Sequence, residues 1–287
     1  MPAGSFFVDV LIAWTKNEDV ALAAERADGV LCRMLELSFG EGYGTLLPDI
    51  RTFDKVILAW SRSRLPSGPD HINHLLTEMD RLQTLKIGSF TPTIVTHTNH
   101  MLAYLRSSRS DASNQIQTIF DHLLERCSNG ERDLCPDCYV YGILIDAWGQ
   151  EKDTQKVEQI FLNMLSTWKS GNSSARPDSD VFLKILEVLS LVSADKCQQY
   201  VGFMQDIGLP LTLEAYSYVL KALSVQGSLG EIKARKKEVI DDIMDGVAVG
   251  RIERPKLKEH RAFLQLVADC EDRNLTTTIV ADTQRDD

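Results

Sequence analysis

Apolar residues along the chain recur at i, i+3, i+4 and i+7, the spacing of one face of an α-helix. One series reads Phe7/Val10/Leu11/Trp14, Phe53/Val56/Ile57/Trp60, His97/His100/Met101/Tyr104 and Tyr141/Leu144/Ile145/Trp148. It continues as Phe182/Ile185/Leu186/Leu189 and Tyr216/Val219/Leu220/Leu223, with Phe263/Leu266/Val267/Cys270 as a candidate last member. A second series alternates with it: Ala27/Val30/Leu31/Met34, Ile72/Leu75/Leu76/Met79, Ile116/Ile119/Phe120/Leu123, Val157/Ile160/Phe161/Met164 and Cys197/Tyr200/Val201/Met204. A sixth member, Ile240/Ile243/Met244/Val247, is out of phase.

This alternation predicts an all-α chain of about six helix pairs, at about 4–49, 50–93, 94–137, 138–178, 179–212 and 213–250. A closing helix is expected at about 256–270, followed by a polar, acidic and frayed tail at 271–287. Burying one large apolar side chain is worth roughly 1.5–3 kcal/mol as an upper value. A lone helix pair cannot bury both of its stripes, so the pairs are expected to stack into a superhelix.

Punctuation recurs in step with the stripes. Prolines stand at Pro48, Pro92, Pro136, Pro177 and Pro210, where they end one segment and push the preceding residue out of helix. The next residue is Asp49, Thr93, Asp137 or Asp178, and Thr212 lies two beyond Pro210. All are good N-cap residues, whose side-chain oxygens accept from the unsatisfied N–H groups of a helix start. The stretch CPDCYVYGILIDAWGQ at 135–150 therefore reads mainly as stop, cap, helix and aromatic tip.

Composition changes this picture little. Of 287 residues, 44% are hydrophobic and 25% charged, ordinary for a folded domain. The net charge of −10 weighs against broad nonspecific affinity for nucleic acid, though a local basic groove is compatible with it. No run of 18 apolar residues is present, so no membrane partner is expected. The opening MPAGSFFVDVLIAW has neither the basic start of a signal peptide nor the Arg/Ser bias of a transit peptide. Either the protein needs no leader, or the leader is missing from this chain; a piece of a longer chain is a minor alternative.

Several residues invite chemistry. Cys135-x-x-Cys138 with Cys127 and His122 would supply four zinc ligands, but the spacing is unfamiliar and the same junction recurs without cysteine. The six cysteines read as reduced thiols, Cys197 and Cys270 as small core residues. His71/His74 and His97/His100 form two i, i+3 pairs, but the helix phase turns the second pair inward and the first outward, so no metal is expected. The basic runs at 233–237 and at Arg251, Arg254, Lys256, Lys258 and Arg261 are interleaved with acids and read first as solvated faces. No P-loop, G-x-G-x-x-G or H-E-x-x-H occurs, and neither an enzyme activity, a cofactor nor a small-molecule substrate is expected.

Pro-Asp, an aromatic, an apolar pair, Ala-aromatic and then Phe/Leu-x-x-Met together resemble the pentatricopeptide repeat family. The resemblance is clearest in Pro136-Asp137…Tyr141…Leu144-Ile145-Asp146-Ala147-Trp148…Phe161…Met164 and covers roughly residues 4–270. Tetratricopeptide repeats rank second, since they want a small residue where Met34, Met79, Met164 and Met204 stand. The family resemblance implies a right-handed α-solenoid whose first helices line a groove for single-stranded RNA, one base per repeat, in mitochondria or chloroplasts. It implies base-reading positions at Val8, Asp54, Thr98, Gly142, Leu183 and Ser217, paired with Asp49, Thr93, Asp137, Asp178 and Thr212. Thr98 with Asp137 is the recognisable pair, and the family pattern assigns it to guanine. The residue flanking the base would be Arg51, Val95, Tyr139, Asp180 or Glu214. Family members with a C-terminal deaminase domain need H-x-E, and no histidine here is followed by x-Glu. The expected function is thus non-catalytic RNA binding in organellar RNA processing, stability or translation. The RNA-binding candidates are Asp54, Thr93, Thr98, Asp137, Tyr139, Asp178 and Ser217. The alternative is a scaffold that holds a protein partner in the same groove.

Overall fold

The computed structural model describes residues 4–40, 46–224, 229–250 and 252. Apart from one isolated parallel bridge between Leu211 and Ile252, the regular structure among these residues is helical. The helices are α1 (Gly4–Thr15), α2 (Val20–Gly40), α3 (Ile50–Ser63), α4 (Gly68–Thr84), α5 (Ile94–Arg106) and α6 (Ala112–Ser128). They continue as α7 (Cys138–Gln150), α8 (Thr154–Lys169), α9 (Ser179–Leu189), α10 (Ala194–Asp206), α11 (Leu213–Leu223) and α12 (Leu229–Ala248). Short 3-10 turns at Arg132–Leu134 and Ser173–Ala175 lead into α7 and α9. No described helix is long and apolar enough to cross a membrane. The expected closing helix at 256–270, the tail, Cys270 and the basic cluster from Arg251 to Arg261 lie outside the described residues.

Each expected cap is made. Asp49 accepts from the Thr52 N–H at 2.9 Å, Asp137 from Val140 at 2.9 Å and Asp178 from Val181 at 2.9 Å. Thr212 accepts from Ala215 at 3.2 Å. Thr93 forms a capping box with Thr96, in which the Thr96 hydroxyl accepts from the Thr93 N–H at 3.0 Å. Such a cap satisfies donors that a helix start otherwise leaves to water.

The chain divides into two compact units, residues 1–147 and 148–287. In the first, α1 packs on α2 and α3, α3 on α4 and α5, and α5 on α6. The first helices α1, α3 and α5 therefore lie side by side; the stripes of α3 and α5 are buried as the periodicity predicts, whereas in α1 only Leu11 is buried and Phe7, Val10 and Trp14 are half-buried. Phe53, Val56, Ile57 and Trp60 of α3 and His97, His100, Met101 and Tyr104 of α5 are all buried. Tyr141 of α7 meets Phe120 of α6 edge to face, with ring centroids 4.9 Å apart. The second unit repeats the scheme: α9 packs on α8, α10 and α11, and α11 on α10 and α12. Its centre is aromatic, with Phe161 against Phe182 at 5.2 Å and Tyr200 at 5.4 Å. Cys197 is a core residue as expected, and burial pushes its thiol up to about 11.

One expectation about the cysteines is corrected. Cys127 and Cys135 are joined in a disulfide, with Cα atoms 4.8 Å apart. The chain leaves α6 through Gly130 in the left-handed region, at φ 102°, and folds back so that residues eight apart in sequence meet. Cys32, Cys138 and Cys197 are outside any disulfide.

Candidate functional site

A cleft of about 770 Å³ lies on the first unit, along the faces of α3, α5 and the start of α7 that point away from the core. On α5, Val95, Thr98, Asn99, Leu102 and Arg106 share this side, while His97, His100, Met101 and Tyr104 take the other. Leu58 and Arg62 of α3 face the cleft one helical turn apart, and Arg64 stands at the end of that helix. Val20 of α2 and Ile94 of α5 complete the apolar wall. At the far end are Asp137, which caps α7, and Tyr139 in its first turn.

Three of the seven expected contact residues thus converge: Thr98, Asp137 and Tyr139 line the same cleft. Val95 and Tyr139, in the flanking position of successive helix pairs, are 57% and 54% exposed. They offer an aliphatic and an aromatic surface to a flat ligand. The Thr98 hydroxyl donates to the Ile94 carbonyl at 2.6 Å, so toward a ligand its oxygen can serve only as an acceptor. Asp137 keeps one carboxylate oxygen on the helix cap, and its second oxygen is the one a ligand can use.

The other four residues are placed differently. Asp54 is half-buried and accepts from the Thr96 hydroxyl of α5 at 2.7 Å; burial pushes its carboxyl up, against that hydrogen bond. It ties α3 to α5 and does not line the cleft. Thr93 is occupied by its capping box, and Asp178 caps α9. Ser217 donates to the Glu214 carbonyl at 2.7 Å. Two smaller clefts of the second unit, of about 290 and 380 Å³, include neither Asp178 nor Ser217.

What sequence reasoning missed is the charge. Arg62, Arg64 and Arg106 make the cleft locally basic on a chain of net charge −10. Arg62 donates to the Thr15 carbonyl at 2.6 Å, and Arg106 to the Ser61 carbonyl at 3.2 Å. Each guanidinium is thereby steadied by a neighbouring helix with most of its five N–H donors left over. A signal was present: Arg62 follows the cap Asp49, and Arg106 follows Thr93, by the same 13 residues.

The two histidine pairs do not converge. His97 and His100 are buried, while His71 is half-exposed and stacks on Trp60 with ring centroids 3.8 Å apart. Among the described residues no group of three or more His, Cys, Asp or Glu side chains is arranged to hold a metal ion. The chain matches no protein-family model and no curated protein.

Proposed function

We propose that the protein is a non-catalytic, single-stranded RNA-binding helical-repeat protein, built as a right-handed α-solenoid of the pentatricopeptide kind and acting in organellar RNA processing, stability or translation. One observation carries this reading. The pair Thr98 and Asp137, the flanking Val95 and Tyr139, and three arginines meet on one cleft of the first unit. A base laid between Val95 and Tyr139 stacks, its edge meets Thr98 and Asp137, and the adjoining phosphates meet the arginines.

The test is retention of a random single-stranded RNA pool by the purified chain at about 50 and 200 mM salt, with sequencing of the bound fraction. Three neutralised phosphates give a salt exponent of about −2, so affinity falls roughly fifteen- to twentyfold between those salts. A guanine is expected in the enriched motif, and it is lost in Thr98→Ala. Asp137→Ser retains a competent helix cap and loses the base contact, which separates the two roles of Asp137. Absence of retention at the lower salt overturns the reading.

A second reading has its own support. Leu58 is 36% exposed and lies with Val95 and Tyr139 in the cleft, a surface equally suited to an extended peptide of a protein partner. Such a partner competes for the cleft without enriching any nucleotide sequence.

A further inference from the structure

The segment between α6 and α7 has a counterpart between α8 and α9. In the first, Gly130 (φ 102°) leads into the 3-10 turn Arg132–Leu134, buries Leu134 and passes through Pro136 to the cap Asp137. In the second, Gly171 (φ 110°) leads into Ser173–Ala175, buries Ala175 and passes through Pro177 to the cap Asp178. Cys127 and Cys135 bridge the first turn. The equivalent places in the second hold Trp168 and Arg176, also eight apart, with the guanidinium 5.8 Å from the indole centroid. One turn is therefore held by a covalent bond, and its twin by a cation–π contact and nothing covalent.

The fold of this turn does not depend on a disulfide. The disulfide adds a bond that can be opened and closed. It lies two residues before Asp137 and four before Tyr139, both of which line the cleft. Both cysteines are half-buried, within reach of a small thiol. When the bond opens, Arg126 still pairs with Glu131 across the same loop, Nε to Oε1 at 2.9 Å, so the turn loosens without coming apart.

We propose that Cys127 and Cys135 form a thiol–disulfide exchange site, modified by low-molecular-weight thiols, that sets the order of the Asp137–Tyr139 end of the cleft. A thiolate of the small molecule attacks one sulfur, forming a mixed disulfide and releasing the other cysteine as a thiolate, which takes a proton. A second small thiol attacks the mixed disulfide, leaving two protein thiols and one small-molecule disulfide. Two electrons and two protons reach the protein, and the small-molecule disulfide reverses the process. The consequence for ligand binding rests on the function proposed above; the exchange chemistry does not.

The full chain is equilibrated in glutathione buffers from fully oxidised to fully reduced, without denaturant. Alkylation and peptide mass mapping then follow Cys127 and Cys135, and hydrogen–deuterium exchange follows the two matched turns. Both cysteines should be protected in the oxidised buffer and both labelled in the reduced one, reversibly. Amides at 135–141 should exchange about tenfold faster after reduction, while those at 176–182 stay unchanged as the internal control. Labelling of both cysteines in every buffer overturns the proposal, as does a bond reducible only after unfolding or equal exchange at 135–141 in the two states. In Cys127→Ser/Cys135→Ser the buffer dependence at 135–141 should vanish; its persistence assigns the effect elsewhere and also overturns the site. None of these readouts needs RNA, so loss of RNA binding in both redox states overturns the proposed function and not the exchange site.

Discussion

His97 and His100 stand in the core of the first unit, and the Nε2 atom of each is buried with no hydrogen-bond partner. Burial, then the neighbouring His122 and Arg126, lowers His97 to about 4. Burial, then His97 itself, lowers His100 to about 4. In the unfolded chain both titrate near the ordinary value of about 6.5. Between these values the unfolded state binds protons that the native state refuses, so stability falls as pH falls. The stabilisation is complete above about pH 6.5 and is lost progressively down to about pH 4. At pH 5 the linkage amounts to about 2 kcal/mol per histidine, or about 4 kcal/mol for the two, an order-of-magnitude figure since they repel one another on protonation. The perturbation is His97→Met/His100→Met, which fills the same space with an adaptable apolar side chain and removes both buried polar atoms. The assay is urea unfolding of the first unit, followed through Trp14 and Trp60 in variants whose Trp148 and Trp168 are replaced by Phe. At pH 7.5 the double variant should lie within about 1.5 kcal/mol of its parent. At pH 5 it should have gained about 4 kcal/mol relative to it. Parallel stability curves from pH 7.5 to 5 refute the reasoning, because exposed groups titrate alike in both proteins and cancel.

Two further outcomes follow from single contacts. Asp178→Ala removes the oxygen that accepts from Val181 and should cost the second unit about 1 kcal/mol in urea unfolding, while Asp178→Ser should recover most of it. Gly149→Ala should destabilise despite alanine's better helix propensity, because its Cβ would come 2.8 Å from the Cγ2 of Val188, a branched and largely buried side chain. We expect a net loss of about 1 kcal/mol. Val188→Ala should relieve the clash, so a double-mutant cycle should give a favourable coupling, and additive effects would count against the close approach.

The helices were legible because their determinants are local. A helix places i, i+3, i+4 and i+7 on one side, so Phe53/Val56/Ile57/Trp60 announced an inward face before any partner was known. Caps are equally local: Asp49 reaches an N–H three residues on, a distance the sequence itself specifies. The site was only partly legible. Thr98, Asp137 and Tyr139 were expected from the family resemblance, and one cleft brings them together. Asp54 shared that phase but is tied to Thr96, 42 residues away, a bond that depends on how α5 packs on α3. The Cys127–Cys135 bond was misread because linear spacing says nothing of a left-handed glycine that folds the chain back.

By itself the sequence determined an all-α chain of paired helices, most of the faces they bury, and where the first helix of five of the pairs begins. Those features follow from hydrogen bonds and side-chain spacing within a few turns. Only the tertiary structure decided which exposed groups meet. It brought Arg62, Arg64 and Arg106 to the cleft with Thr98 and Asp137, and it held Asp54 away. Helix packing sets those distances through side chains some forty residues apart, and no local periodicity encodes them.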